Sequence, residues 1–303
     1  MSPFFSLLFF FFFLISHSSM AMAALVKDPP LVLKYHNGPL LKGKVTLNLL
    51  WYGQFTPTQR SIISDFILSL TSTSVKSPPS PSVNSWWRTT DKFKGGASTL
   101  ILGKQTLDQT YSLGKSLTNK HLIALASKTN TAAGLNNNTV NVVLTANDVA
   151  VSGFCSRCGT HSSVRTKTGR MVYAWVGNSE TQCPGQCAWP FHQPIYGPQT
   201  APLVAPNGDV GLDGMVINLA TVLAGTITNP FNSGYFQGPV MAPLEAVTAC
   251  TGMFGSGAYP GYAGEVILDK ETGASYNAQG VEGRKYLLPA MWDPTTSKCS
   301  TLV

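Results

Sequence analysis

The sequence predicts an α/β or α+β fold: one globular domain with a mixed sheet and helices, plus an irregular, disulfide-bonded C-terminal lobe. Three observations lead there. Lys44 to Tyr52 alternates apolar and other residues with period two, and an amphipathic helical pattern follows at once. Further strand-like and helix-like segments interleave along the middle of the chain. Beyond a long apolar helical run at Leu212 to Thr226, the chain turns Gly-, Tyr- and Pro-rich, with two cysteines and little periodicity. No internal repeat shows at periods of about 20 to 50 residues.

The elements follow in order. Val45, Leu47, Leu49 and Trp51 share one face of the first strand, and Gly53 ends it. Thr56-Pro57-Thr58-Gln59 reads as a capping box with proline at the first helical position. The helix it opens should bury Ile62, Ile63, Phe66, Ile67 and Leu70. Residues 72–85, with three prolines and six serines, read as an exposed loop, and Trp86-Trp87 restarts order. Thr99 to Leu102 is expected as a strand, Thr118 to Ser127 as a short helix, and Val140 to Leu144 and Met171 to Val176 as strands. The Leu212 to Thr226 helix is bounded by Asp209 and Asp213 before it and by Asn229-Pro230 after it.

The N-terminal apolar stretch, Phe4 to Ile15, is twelve residues long. At that length a helix spans about 18 Å, too short for a bilayer core of about 30 Å. Polar residues follow it, then Ala21-Met22-Ala23-Ala24, the small-x-small pattern of a cleaved export signal. Residues 1–23 are therefore expected as a signal peptide, although no Lys or Arg precedes the apolar run, and 24–303 as the mature domain. A secreted, extracellular product is expected. In an oxidising compartment the six cysteines, Cys155, Cys158, Cys183, Cys187, Cys250 and Cys299, read as disulfides, with about 15 connectivities open. Cys250 with Cys299 would close the C-terminal segment. The rival is a zinc site on Cys155, Cys158, Cys183 and Cys187, whose spacings are ligand-like. Asn137 heads a glycosylation sequon.

Charged residues are only 12% of the chain, about half the usual share. With 28 glycines and 20 prolines, loops are ordered more by backbone chemistry than by salt bridges. The net charge of +7 falls wholly after residue 26, on scattered lysines that form no block, and no nucleic-acid motif accompanies it. No second hydrophobic span is read from the sequence, which predicts a soluble product.

Hydrolase and nucleotide signatures are missing. Gly95-Gly96-Ala97-Ser98 and Gly273-Ala274-Ser275 lack the second glycine of a nucleophile elbow, and Gly255-Ser256-Gly257 lacks the third of a dinucleotide loop. Asp209 and Asp213 read as helix-start carboxylates, and Glu265, Asp269 and Glu271 as a solvated turn. His36, His121, His161 and His192 have no metal-type partner three or four residues away, so each reads first as a hydrogen-bonded structural histidine. No catalytic, cofactor-binding or metal residue is assigned, and no cofactor is expected.

Several longer motifs go together: Trp175-Val176-Gly177-Asn178-Ser179, Gln182-Cys183-Pro184-Gly185-Gln186-Cys187-Ala188-Trp189-Pro190-Phe191-His192, and Asp213-Gly214-Met215 with Ile217-Asn218-Leu219-Ala220. Gly225-Thr226-Ile227-Thr228-Asn229-Pro230-Phe231, Tyr259-Pro260-Gly261-Tyr262-Ala263-Gly264 and Gly283 to Ala290 extend the set, with Tyr35-His36-Asn37-Gly38 and Trp86-Trp87 upstream. With these motifs the chain resembles the plant EXORDIUM and phosphate-induced protein 1 family over the whole mature length. One departure is Cys158-Gly159-Thr160-His161-Ser162, where an aromatic residue and a second glycine would flank the histidine. The resemblance implies a secreted protein of the apoplast or cell wall that promotes cell expansion and growth in response to brassinosteroid or nutrient status. It implies no reaction.

A fainter similarity is to the frame of some bacterial zinc-peptidase-like proteins, in which a metal-binding helix precedes a Thr-Asn-Pro turn. That frame puts Thr221, Val222 and Gly225 where ligands and base would stand, and Gly214 to Pro230 carries no ionisable side chain. The reading is thus a metal-less frame, a non-catalytic binding protein whose function lies on aromatic loops. Trp189, Phe191, His192, Tyr196, Tyr259 and Tyr262 are the candidate ligand-binding residues, with Tyr276 in the same kind of stretch. Cell-wall polysaccharide or an extracellular protein or peptide is the expected partner. The alternative is an extracellular hydrolase of wall polysaccharide or peptide, drawing on Asp209, Asp213, Glu245 and Glu265 with His161 or His192.

Overall fold

A computed structural model describes residues 30–71, 81–95, 98–129, 138–167, 169–281 and 283–303. The expected signal peptide, Asn137 and residues 72–80 of the serine- and proline-rich segment lie outside these. Residues 31–303 form one compact unit.

Five strands make the central sheet: β1 (Gly43–Tyr52), β2 (Ser98–Asp108), β3 (Thr139–Thr145), β4 (Gly159–Thr166) and β5 (Gly169–Gly177). Their order is β2-β1-β3-β5-β4; all neighbours are parallel except β4, which runs antiparallel to β5. The sheet is mixed, as expected. β1 departs from the sequence reading in one respect. Leu50 and Tyr52 are buried as fully as Leu47 and Leu49, because a central parallel strand is covered on both faces. No sequence pattern marks β4. Its residues, Gly-Thr-His-Ser-Ser-Val-Arg-Thr, are nearly all half-buried at a sheet edge and carry no apolar alternation.

Five helices matter here: α1 (Pro57–Leu70), α2 (Val83–Trp87), α3 (Asn119–Thr129), α4 (Pro184–Cys187) and α5 (Val210–Thr228). The α1 capping box forms as expected, with Thr56 Oγ1 accepting from Gln59 N and Gln59 Oε1 accepting from Thr56 N. All five expected apolar residues of α1 are buried. The serine- and proline-rich loop ends earlier than residue 85, since buried Ser82 caps α2, whose Val83, Trp86 and Trp87 are buried as well.

α1 packs on β2, α3 on β1, β3 and β5, and α5 on β4, β5 and α1. α5 is long and apolar enough to cross a membrane, yet it is mostly buried inside the protein. Asp209 is its N-cap and accepts from Leu212 N at 2.9 Å. Asp213 does not precede the helix, as the sequence reading had it, but lies buried within its first turn.

The C-terminal lobe is built from strand pairs of two or three residues, such as Ala278–Gln279 with Lys285–Tyr286 and Met291–Asp293 with Lys298–Ser300. Buried side-chain amides replace long ladders. Asn277 Nδ2 donates to Phe254 O and Leu288 O, and its Oδ1 accepts from Leu288 N.

All six cysteines are paired: Cys155–Cys183, Cys158–Cys187 and Cys250–Cys299. The first two bridges lie side by side, with Cys183 Sγ 4.0 Å from Cys187 Sγ. They consume the thiolates that the rival zinc site would have needed.

Candidate functional site

The two adjacent disulfides anchor the start of the loop that follows Cys187. Asn218 Nδ2, on α5, donates to Cys187 O at 2.8 Å, and Gly214 leaves room for Ala188, which would stand 2.8 Å from a Cβ there. The chain therefore leaves α4 locked against α5. It passes through a cis Trp189–Pro190 bond into a loop closed by Leu203 N donating to Pro190 O.

Facing this loop is a tight turn, Tyr259-Pro260-Gly261-Tyr262, in which Tyr259 and Tyr262 exchange both backbone hydrogen bonds. Proline then glycine with φ +89° is the type II signature. Gly261 is needed for a second reason: a Cβ there would lie 2.7 Å from Pro198. Thr200 Oγ1 donates to Gly261 O at 3.0 Å and ties the loop to the turn.

Between them lies a cavity of about 560 Å³ whose walls include Trp189, Pro194, Tyr196, Pro198, Tyr259 and Pro260. A smaller one of about 250 Å³ adjoins it, sharing Trp189 and Gly261 and adding His192 and Tyr262. Tyr196 is 83% exposed and Tyr259 63% exposed, while Trp189 is half-buried and tilted on Phe254 at 5.7 Å. Tyr259 and Tyr262 are 5.0 Å apart and inclined at 40°, so they form an angled wall and not a flat shelf.

Five of the six sequence candidates thus meet on one concave face. The sixth does not: Phe191 is buried with Ile217, Phe254 and Leu287 in a small apolar cluster. It anchors the loop. Tyr276 is half-buried beneath Lys285, outside the groove. The prolines of the groove were not singled out from sequence, although prolines recur at 190, 194, 198, 202 and 206. That four-residue spacing was the available signal.

The carboxylate candidates disperse. Asp209 accepts from Gln59 Nε2 as well as capping α5, and Glu265 is exposed. Asp213 accepts from Asn207 N and Nδ2; burial pushes its pKa up to about 7 against those hydrogen bonds. Asp269 is not solvated as expected but buried, capping the turn at Glu271 and Thr272 and pairing with Lys285. A third cavity of about 640 Å³ is bordered by Asn207, Arg284 and Lys285, and Arg284 is already held by Asp65 at 3.0 Å and by Asn207.

One pair does assemble. His161 Nε2, on β4, lies 2.8 Å from Glu245 Oε2, and Asn229 Nδ2 at the end of α5 donates to Glu245 Oε1 at 2.7 Å. Both partners are about nine-tenths buried, and His161 Nδ1 has no partner among the described residues. They press on α5 at Gly225, where a Cβ would meet both within 3 Å. The stretch from Gly214 to Pro230, which itself carries no ionisable side chain, thus has an imidazole and an acid brought to it by other segments. Among the described residues, however, no three His, Cys, Asp or Glu side chains gather as a metal would require.

A family model described as the phosphate-induced protein 1 conserved region matches residues 33–302. The chain belongs to that family. Protein EXORDIUM-like 2 of Arabidopsis thaliana is 65% identical over 292 residues, 94% of each chain. Protein PHOSPHATE-INDUCED 1 of Nicotiana tabacum is 59% identical over 301 residues, 95% of this chain and 94% of its own. Protein EXORDIUM of Arabidopsis thaliana is 57% identical over 310 residues, 98% and 97%. These matches span the sheet, the disulfides and the groove alike.

Proposed function

We propose that this phosphate-induced protein 1 family member is a secreted, non-catalytic protein of the apoplast. It promotes cell expansion and growth in response to brassinosteroid or nutrient status, and it works by binding. The observation that carries this is the groove, where exposed Tyr196 and Tyr259 stand beside Trp189 on two proline-containing loops. Large rings held by rigid backbone give contact area at low ordering cost. The family relationship and the paired cysteines support the extracellular setting. Insoluble plant wall material incubated with the oxidised mature protein provides the test. Retention should fall at least tenfold for Tyr196→Ala/Tyr259→Ala, and equal retention of variant and parent would count against the groove.

A hydrolytic reading is favoured by one observation, the contact of His161 with Glu245. Both oxygens of that carboxylate are already engaged, by His161 and by Asn229, and neither partner lines any of the three cavities described above. The pair reads better as a buried tie between the sheet edge and the C-terminal lobe.

A further inference from the structure

Resting on the groove as the binding face, we infer that its ligand is an uncharged, proline-rich peptide segment in the extended polyproline II conformation. The first argument is charge. The chain carries +7, yet the 560 Å³ cavity of the groove has no Asp, Glu, Lys, Arg or His in its lining. An uncharged site within a basic protein matches an uncharged segment, because a charged one would lose its hydration there without gaining a counter-charge.

The second argument separates peptide from sugar. A pyranose brings several hydroxyls, and covering them needs acceptors and donors such as carboxylates and amides. The 560 Å³ cavity has neither: its side chains are Trp, Tyr, Pro, Met, Ala and a single Thr. A proline-rich segment makes the opposite demand. Proline has no N–H to satisfy, its ring is apolar, and its carbonyls look for donors. The indole N–H of Trp189 and the hydroxyls of Tyr196 and Tyr259 make no hydrogen bond to a described residue and are free to supply them. Aromatic-lined grooves dock such segments for these reasons, and the polyproline helix is ordered before it binds.

The test uses the oxidised full-length mature protein and three probes: a capped ten-proline peptide, a capped Gly/Ser peptide of equal length, and a neutral cello-oligosaccharide. Each is titrated by calorimetry and by tryptophan fluorescence. The ten-proline peptide should bind and perturb the fluorescence, and the Gly/Ser peptide should bind at least tenfold more weakly. Tyr196→Ala and Tyr259→Ala, both at exposed positions, should each weaken the ten-proline complex about tenfold while leaving the near-UV dichroism of the fold intact. Oligosaccharide binding that depends on these tyrosines, without peptide binding, would overturn the peptide inference and keep the groove. Peptide binding indifferent to both tyrosines, or no binding of any probe, would overturn the groove as well.

Discussion

His161 Nε2 and Glu245 Oε2 meet at 2.8 Å beside Gly225, joining β4 to a segment 84 residues further along the chain. The contact exists because position 225 has no side chain. A Cβ would stand 2.7 Å from Glu245 Oε2 and 2.9 Å from His161 Nε2. Gly225→Ala should therefore destabilise the fold by about 1–3 kcal/mol through overpacking, despite alanine's better helix propensity. Urea unfolding measures this, and a stabilised variant would show that the pair moves freely.

Stability should fall as pH rises from about 4 to about 7. Asp213 has its pKa pushed up to about 7, mainly by burial, with Asp209 adding to the effect and the Asn207 hydrogen bonds opposing it. The folded state thus binds this proton more tightly than the unfolded chain. The contribution is complete below the ordinary carboxylate pKa and is lost as pH passes through the folded value, a total of about 4 kcal/mol. Asp108, Asp148 and Asp293 are shifted the other way: burial pushes each up, but their hydrogen-bond and lysine partners outweigh it and hold their pKa values down. Their contributions are present above the usual carboxylate range and are lost in acid, below this window. Denaturant midpoints at pH 5 and pH 7.5 should differ in favour of pH 5, and Asp213→Asn should flatten the difference. A midpoint higher at pH 7.5 would contradict the assignment.

What the sequence made legible was what neighbouring residues decide. The α1 cap and its buried stripe depend on neighbouring residues, and α5 beyond Asp213 is uncharged and largely buried because the sheet covers one side and Phe254 and Leu287 of the lobe pack on Ile217. β4 was illegible because half-buried edge residues such as Thr160 and Ser162 carry no periodic signal. The C-terminal pairs were illegible because anchors such as Asn277 hold strands too short to have a period. In the groove, composition found the aromatic loops but not their orientation. Phe191 turned inward since Ile217 and Phe254 offered it a pocket, and no local pattern encodes that. His161 and Glu245 were each legible as candidates, whereas their meeting depends on the fold.

The Cys250–Cys299 bridge spans 49 residues. A loop of that size restricts the unfolded chain by about 4 kcal/mol. The double variant Cys250→Ser/Cys299→Ser should lose stability of that order in denaturant unfolding, with added cost from placing a hydroxyl at the buried 250 position. A loss below about 1 kcal/mol would mean that the lobe is held by its side-chain anchors alone.

Tyr196→Ala and Tyr259→Ala should leave thermal stability almost unchanged, within about 0.5 kcal/mol, since both rings are largely exposed. Trp189→Ala should cost more, because the indole also packs on Phe254 and stands over Gly252. Thermal scans of the three variants check the order, and a tyrosine variant less stable than the tryptophan variant would contradict it.

The most direct test of a binding rather than catalytic role is rescue of cell length in plants lacking the endogenous protein. Glu245→Gln removes the buried acid and keeps a side chain able to hydrogen bond, whereas Tyr196→Ala/Tyr259→Ala removes the groove's exposed rings. Full rescue by Glu245→Gln and failure of the double tyrosine variant, at equal protein levels, is the expected result. Rescue by the tyrosine variant with failure of a folded Glu245→Gln would contradict it and assign the function to the acid beside Gly225.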